Sequence, residues 1–271
     1  MPVRFFESEL RDSRGLSAAE VSRFNEQGFL SPLEVLNPSE ADQARSYFDG
    51  LFEELRRRDD GRNSYAILGY QARCRGIWEL ARHPRILDRI EALLGPDFVC
   101  WSTHFFCKLP EDSRPVPWHQ DASYWPIRPT KTVTAWLAID DVDAENAPMR
   151  FLAGSHRQGR LPWRRAGETA ILHQEIPQAH RLGVPVDNVL RAGQISIHSG
   201  TIVHGSEVNR SRRRRCGLAL RYVPSSCDVL IDDARHLLES AVPGRGDTGR
   251  WRRNQPPSGD DLSMVHHFYC D

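Results

Sequence analysis

The chain has 271 residues, of which 39% are hydrophobic and 27% charged, the make-up of an ordinary folded protein. Its 36 basic and 36 acidic residues cancel, which gives no support to a general nucleic-acid binder or a polybasic membrane binder. No apolar run approaches the roughly 18–20 residues that cross a bilayer, and Met1 to Leu10 lacks the apolar stretch of a secretory signal, so a cytoplasmic location is expected.

The N-terminal third reads as helical. Ser17-Ala18-Ala19-Glu20 is a capping box, in which the Ser17 hydroxyl and the Glu20 carboxylate satisfy free N–H groups of the first turn. Val21 and Phe24 follow on one face, and Gly28 suits the left-handed residue that closes a helix. A second helix starts near Asn37-Pro38, its apolar positions Ala44, Tyr47, Phe48, Leu51, Phe52 and Leu55 stepping along one side. A third runs from Pro84 to Leu94, with Ile86, Ile90, Leu93 and Leu94 inward and Gly95 as its stop.

From Phe98 the pattern changes to short β-rich runs separated by Pro, Gly, Asp and Asn. They are Phe98–Leu109, Thr132–Ile139, Met149–Leu152, Ala170–Ile176, Gln194–His198 and Cys216–Val223. Val133 to Ile139 is nearly all apolar or small, as expected for a strand covered on both faces. Helices first and strands later predict an α+β protein with a mainly β core, a sandwich or barrel with helices packed on one sheet. Pro243 to Asp261, rich in Gly, Pro, Arg and Asp, reads as a mobile loop or lid.

The six cysteines, Cys74, Cys100, Cys107, Cys216, Cys227 and Cys270, form no CxxC pair, so they are expected as reduced, buried thiols. Lys108 and Lys131 are the only lysines, so an Arg run alone carries little information in this chain. Lys108 ends the first long strand and is expected to be solvated there.

Trp118-His119-Gln120-Asp121 carries the chemical signal. On an extended chain alternate side chains share a face, so His119 and Asp121 project side by side and Gln120 points away. An imidazole and a carboxylate so placed are two adjacent ligands for a divalent metal. His204, after the apolar pair Ile202-Val203, is the best third ligand from a distant strand, and His198 is its one serious rival. Two His and one carboxylate on one face of an octahedron leave positions open, the arrangement of non-haem Fe(II) oxygenases. A structural zinc site would need a fourth protein ligand, and none stands out.

Around these residues the chain resembles the phytanoyl-CoA dioxygenase family. The resemblance rests on Pro117 to Pro126, Val133 to Asp141, Asn146-Ala147-Pro148-Met149, Gly154-Ser155-His156, and the block His198 to Glu207 followed by Asn209-Arg210-Ser211, Arg215 and Arg221-Tyr222. It departs at Ala147, where the family commonly has Gly in an Asn-Gly turn. The resemblance implies a double-stranded β-helix (jelly roll) that holds Fe(II) on His119, Asp121 and His204 and uses 2-oxoglutarate as cosubstrate. It places the distal carboxylate of 2-oxoglutarate on Arg215, with Ser206 as a hydroxyl donor; Trp136 packs either in the core or against the cosubstrate. A guanidinium suits that role because it grips a carboxylate with two parallel charge-assisted hydrogen bonds. The residues alone leave Arg212, Arg213 and Arg214 open as alternatives. Residues 1–271 are expected to form one domain: a helical part over 1–97, the jelly-roll core over 98–225 and an extension over 226–271.

The resemblance further implies an oxygenase acting on a small molecule with O2, most simply a hydroxylase of a compact metabolite or biosynthetic intermediate. Desaturation, epoxidation or cyclisation at the same site is an alternative outcome. A halogenase would lack the carboxylate that Asp121 supplies. A non-oxidative jelly-roll isomerase or lyase would not need Arg215, and a non-catalytic binding relative would not need the metal. Tyr124 and Trp125, just past the ligands, are placed either in the substrate wall or in the core.

Overall fold

The computed structural model describes residues 2–10, 12–230 and 236–263. His266, His267 and Cys270 lie outside them. The first helix, α1 (Ala18–Gln27), opens on the expected capping box: Ser17 Oγ accepts from the Glu20 N–H at 3.3 Å, and Glu20 accepts from the Ser17 N–H at 2.8 Å. Gly28 closes it at φ 85°, a left-handed conformation that a side chain disfavours. Strand β1 (Phe29–Glu34) and helices α2 (Pro38–Arg58), α3 (Arg75–Ala81) and α4 (Pro84–Leu94) follow.

The rest is mainly strand. In order come β2 (Phe98–Lys108), β3 (Val116–His119), β4 (Ile127–Arg128), β5 (Val133–Ala138), β6 (Arg150–Leu152), β7 (Arg164–Arg165) and β8 (Gln174–Glu175). Then come β9 (Pro185–Asp187), β10 (Gln194–Ser199), β11 (His204–Ser206), β12 (Arg215–Pro224), β13 (Asp228–Val229), a short helix α5 (His236–Glu239) and β14 (Val242–Arg245). The major sheet runs β1-β10-β5-β12-β2-β14 and the minor sheet β3-β11-β6-β9, antiparallel throughout. This is the jelly-roll core expected, with the N-terminal helices on one sheet.

Strand alternation explains why the central strands are buried on both faces. From β12, Cys216, Leu218, Leu220 and Tyr222 join Phe24, Phe48, Ile77 and Ile90 of the helices in one apolar cluster. Val133, Ala135 and Leu137 of β5 and Ile195 and Ile197 of β10 complete it. Phe48 and Phe105 meet with ring centroids 4.8 Å apart, and the Tyr222 hydroxyl donates to the Ala81 carbonyl at 2.9 Å. Truncating such a buried side chain to Ala costs about 2–5 kcal/mol. The opposite face of the same strands carries Thr134, Trp136, Ser196, His198, Arg215, Ala219 and Arg221, and it looks inward at the minor sheet.

Several local expectations change. Pro243 to Asp261 contributes edge strand β14, which pairs with β2, and Arg245 there forms ion pairs with Asp88 and Glu91. Trp251 is buried and donates to the Cys227 carbonyl at 3.0 Å, and Asp260 accepts from the Tyr47 hydroxyl at 2.7 Å. Loop composition hid a segment fastened by a few specific contacts. Of Ala170–Ile176 only Gln174–Glu175 is strand, paired with β7. Helix α3 lacks a side-chain cap at Cys74 and has only seven residues, too few for periodicity to reveal. Strand β1 contains Pro32, which a strand tolerates at a sheet edge, where β1 lies. The five described cysteines are free and buried, and no helix among the described residues is long and apolar enough to cross a membrane.

Ala147 sits at φ 63°, which explains why the related turn favours Gly. A Cβ in that conformation costs roughly 1–2 kcal/mol, whereas glycine at such a site gives back about 0.4–1 kcal/mol through the unfolded chain. Ala147→Gly should therefore raise Tm by about 1–3 °C, at about 2–4 °C per kcal/mol for a chain this long. Differential scanning calorimetry checks this. An unchanged or lower Tm would mean that the methyl group makes contacts worth its strain.

Candidate metal and cosubstrate site

His119 ends β3 and His204 opens β11, and the two are direct partners across the antiparallel ladder. Gln120 keeps the chain extended (φ −114°, ψ 122°), and Asp121 then opens a one-turn 3-10 segment, Asp121–Ser123. The side-by-side projection of His119 and Asp121 is therefore made at a strand end, not within a regular strand. Gln120 points away, as expected, and anchors the corner: its amide donates to the Gly159 carbonyl at 2.9 Å and the Thr201 carbonyl at 2.7 Å, and accepts from the Leu161 N–H at 3.0 Å. His204 starts its strand, and the apolar pair Ile202-Val203 precedes it outside any strand.

The three side chains converge. One donor atom from each of His119, Asp121 and His204 lies within 4.8 Å of the others, and all three residues are buried. Each imidazole places Nδ1 against the carbonyl two residues earlier, Pro117 at 2.8 Å and Ile202 at 3.2 Å. A carbonyl only accepts, so Nδ1 carries the proton and Nε2 keeps its lone pair for a metal. Both Nε2 atoms face Asp121 Oδ1, at 3.5 Å from His119 and 4.0 Å from His204. Burial pushes the Asp121 carboxyl up, but the imidazoles of His119, His198 and His204 gathered beside it and the charge of Arg221 outweigh it and hold it well below the usual range. Burial, then the neighbouring His119, keeps the His204 imidazole far below its ordinary value. An ionised carboxylate beside neutral imidazole is the state in which these groups bind a metal. Among the described residues no fourth His, Cys, Asp or Glu joins the cluster, so the donor set suits an open Fe(II) site better than closed structural zinc.

His198, the rival, stands on β10 behind the carboxylate. Its Nε2 is 3.8 Å from Asp121 Oδ2, and the Thr134 hydroxyl reaches the same oxygen at 3.5 Å.

The cavity holding the triad also takes in Trp136, Ser206 and Arg215. Arg215 is 2% exposed. Its Nη2 donates to Ser206 Oγ at 3.1 Å, its Nε donates to the Ala147 carbonyl at 3.1 Å, and its guanidinium lies 5.7 Å from the Trp136 ring. A Cβ at Gly217 would meet the Trp136 ring at 2.0 Å, so the bare backbone there lets the indole lie across β12. The alternatives in the Arg run face elsewhere. Arg213 is exposed and pairs with Asp143 and Glu145, Arg214 pairs with Asp140 and Asp49, and Arg212 is exposed. Strand β12 begins at Arg215, which is what separates it from the rest.

Lys108 departs from expectation: it is fully buried, paired in register with Arg215, and donates to the Arg114 carbonyl. Its rarity as a lysine was the available signal. Arg221, part of the Arg221-Tyr222 motif, also lines the cavity. Tyr124 and Trp125 line a neighbouring cleft, and Trp125 also packs edge-on against Trp101 in the core.

This fold with this donor set is that of the non-haem, 2-oxoglutarate-dependent oxygenases. The phytanoyl-CoA dioxygenase family model matches residues 24–217, and the chain belongs to that family. Bovine peroxisomal phytanoyl-CoA dioxygenase (Bos taurus) is 26% identical over 156 residues, 54% of this chain and 46% of the relative. The chain thus spans about half the length of the first curated relatives it matches. Among solved structures, the apo form of the non-haem monooxygenase ThoJ is 30% identical with a TM-score of 0.75, covering 88% of both chains. EctD from S. alaskensis, with 2-oxoglutarate and 5-hydroxyectoine, shares the fold at a TM-score of 0.73 and 19% identity, over 93% of this chain and 94% of its own.

Burial, then the charge of Arg215, pulls the Lys108 ammonium down to about 7. An anion bound beside Arg215 would favour the charged form, so dicarboxylate binding above pH 7 should take up a proton. Affinity for 2-oxoglutarate is expected to be flat below pH 7 and to fall above it, by at most about tenfold per pH unit. The folded state gains stability from the same group as pH rises from about 7 toward 10.5, since the unfolded chain keeps the proton over that window. Calorimetric titrations in buffers of different ionisation enthalpy measure the uptake. A Lys108→Met variant with the same proton uptake would exclude Lys108 as its source.

Proposed function

We propose that the chain is an Fe(II)- and 2-oxoglutarate-dependent oxygenase that hydroxylates a small molecule. The observation that carries this reading is a buried Arg215, hydrogen-bonded to Ser206 and backed by Trp136, in one cavity with the His119–Asp121–His204 cluster. A metal jelly roll without 2-oxoglutarate has no need of that guanidinium. In this reading His119, Asp121 and His204 hold the iron, and Arg215 with Ser206 grips the distal carboxylate. When bound, the iron supplies O2 activation coupled to conversion of 2-oxoglutarate to succinate and CO2.

The chain's own residues supply geometry. The backbone carbonyls of Pro117 and Ile202 fix the imidazole tautomers, Thr134 and His198 sit at the outer oxygen of Asp121, and Trp136 and Phe106 keep water from the cosubstrate. Asp121 fills the place a halogenase leaves empty for chloride, so oxygen insertion is favoured over halogenation.

Anaerobic addition of Fe(II) and 2-oxoglutarate should give the weak visible charge-transfer band of the chelate. Arg215→Ala removes charge-assisted hydrogen bonds worth about 1.5–3 kcal/mol, so 2-oxoglutarate should bind roughly ten- to hundred-fold more weakly. Arg215→Lys should recover only part of this, because an ammonium lacks the fork. Arg213→Ala, on the surface, should change nothing. If Arg213→Ala raises the KM for 2-oxoglutarate and Arg215→Ala does not, the assignment is wrong.

Asp121→Ala should abolish both iron retention and succinate formation while the far-UV circular dichroism stays that of the parent. Unchanged hydroxylation in that variant would remove Asp121 from the metal site.

A further inference from the structure

Arg221 is the inward charged side chain to which the reading above assigns no ligand. It lies on β12, six residues after Arg215 and on the same inward face, and it is 6% exposed. Neither its Nε nor its Nη1 has a hydrogen-bond partner, and no described carboxylate forms an ion pair with it. Its guanidinium instead lies 5.6 Å from the Trp125 ring and 6.0 Å from the Phe106 ring. Buried guanidinium groups are almost always satisfied by acceptors, since each brings five N–H donors out of water. An orphan facing a cavity marks the place of an absent acceptor.

The cavity it faces is a second cleft that shares Phe106, Asp121 and Arg221 with the triad cavity. Leu68, Tyr124 and Leu172 give it an apolar and aromatic wall. Arg215 and Arg221 are separated along β12 by about 20 Å of backbone at roughly 3.3 Å per residue, so they serve different ends of the site. The charge count agrees. Counting Fe(II), the 2-oxoglutarate dianion, Asp121, the two arginines and the Lys108 ammonium that the dianion favours, the loaded site keeps positive charge over.

We infer that Arg221 receives a carboxylate of the primary substrate, which lays a compact apolar or aromatic body along the second cleft with the carbon to be oxidised beside Asp121. The inference rests on the oxygenase reading and adds a substrate class to it, a monocarboxylic acid. The same guanidinium chemistry would also suit the other carboxylate of 2-oxoglutarate, and the experiment separates the two.

The probes are 3-phenylpropanoate and its amide, titrated calorimetrically into the full chain, both metal-free and loaded with Fe(II) and 2-oxoglutarate under argon. The wild type should prefer the carboxylate by at least tenfold in both forms, and the carboxylate should raise its Tm. Arg221→Gln should abolish the preference and the Tm response, keep the Kd for 2-oxoglutarate within threefold, and unfold no earlier than the parent. Arg221→Lys should restore part of the preference. Equal binding of acid and amide by the wild type would overturn the proposal. A tenfold or larger loss of 2-oxoglutarate affinity in Arg221→Gln would overturn it too, by assigning Arg221 to the cosubstrate. A lower Tm in both variants with the acid preference intact would reduce Arg221 to a packing residue. Failure of the wild type to form the chelate, with an Arg221-dependent acid preference in the metal-free form, would sink the oxygenase reading and leave the anion site standing.

Discussion

The antiparallel register that sets His204 opposite His119 is the constraint on which the centre of this protein depends. A slip of one residue on β11 would turn the imidazole to the other face of the strand and break the cluster. The register is held from several sides. β11 lies between β3 and β6 in the minor sheet. The Val203 N–H donates to Ser155 Oγ at 2.9 Å, and the Val203 carbonyl accepts from the Leu152 N–H at 3.0 Å. Gln120 ties the Asp121 corner to Thr201, just upstream of His204, so the two segments that carry the triad are joined by a side chain outside it.

Strand β12 links this centre to the rest of the fold. Its even-numbered side chains from Cys216 to Tyr222 are locked into the helical layer, while Arg215, Gly217, Ala219 and Arg221 face inward. Packing against α2, α3 and α4 therefore fixes where two guanidinium groups sit, although the helices contribute nothing to the cavity wall. The helical layer acts on the site by stiffening the strand that presents it.

Much of this was legible in the sequence, for identifiable reasons. Capping residues and the three-four spacing define α1, α2 and α4, because helix signals are local. The long central strands are visible as runs of apolar and small residues. His119, Asp121 and His204 stand out because metal ligands need particular residue types at particular spacings. What stayed hidden depends on contacts between distant segments. The burial of Lys108 follows from its place opposite Arg215, and no local pattern encodes that. Trp251 and Asp260 fasten a stretch whose composition resembles a loop. In the run Arg212 to Arg215 the residue type is constant, and only the point at which β12 begins distinguishes the inward Arg215 from the outward, ion-paired Arg213 and Arg214.

The same run shows how the fold divides stability from function. Arg214 forms a bidentate pair with Asp140 at 2.8 Å, so its charge is neutralised within the protein. Arg215, one residue on, is given only a hydroxyl and a carbonyl, both neutral acceptors. Neither Nε nor Nη1 of Arg221 has an acceptor among the described residues. A carboxylate placed opposite either inward arginine would remove an uncompensated buried charge and favour the folded state, and it would also fill the space that the proposed function reserves for an acid. The inward face of β12 can hold its charges open because its outward face carries the apolar contacts that keep the strand in place. The energetic cost of an unsatisfied interior is met on the other side of the same backbone.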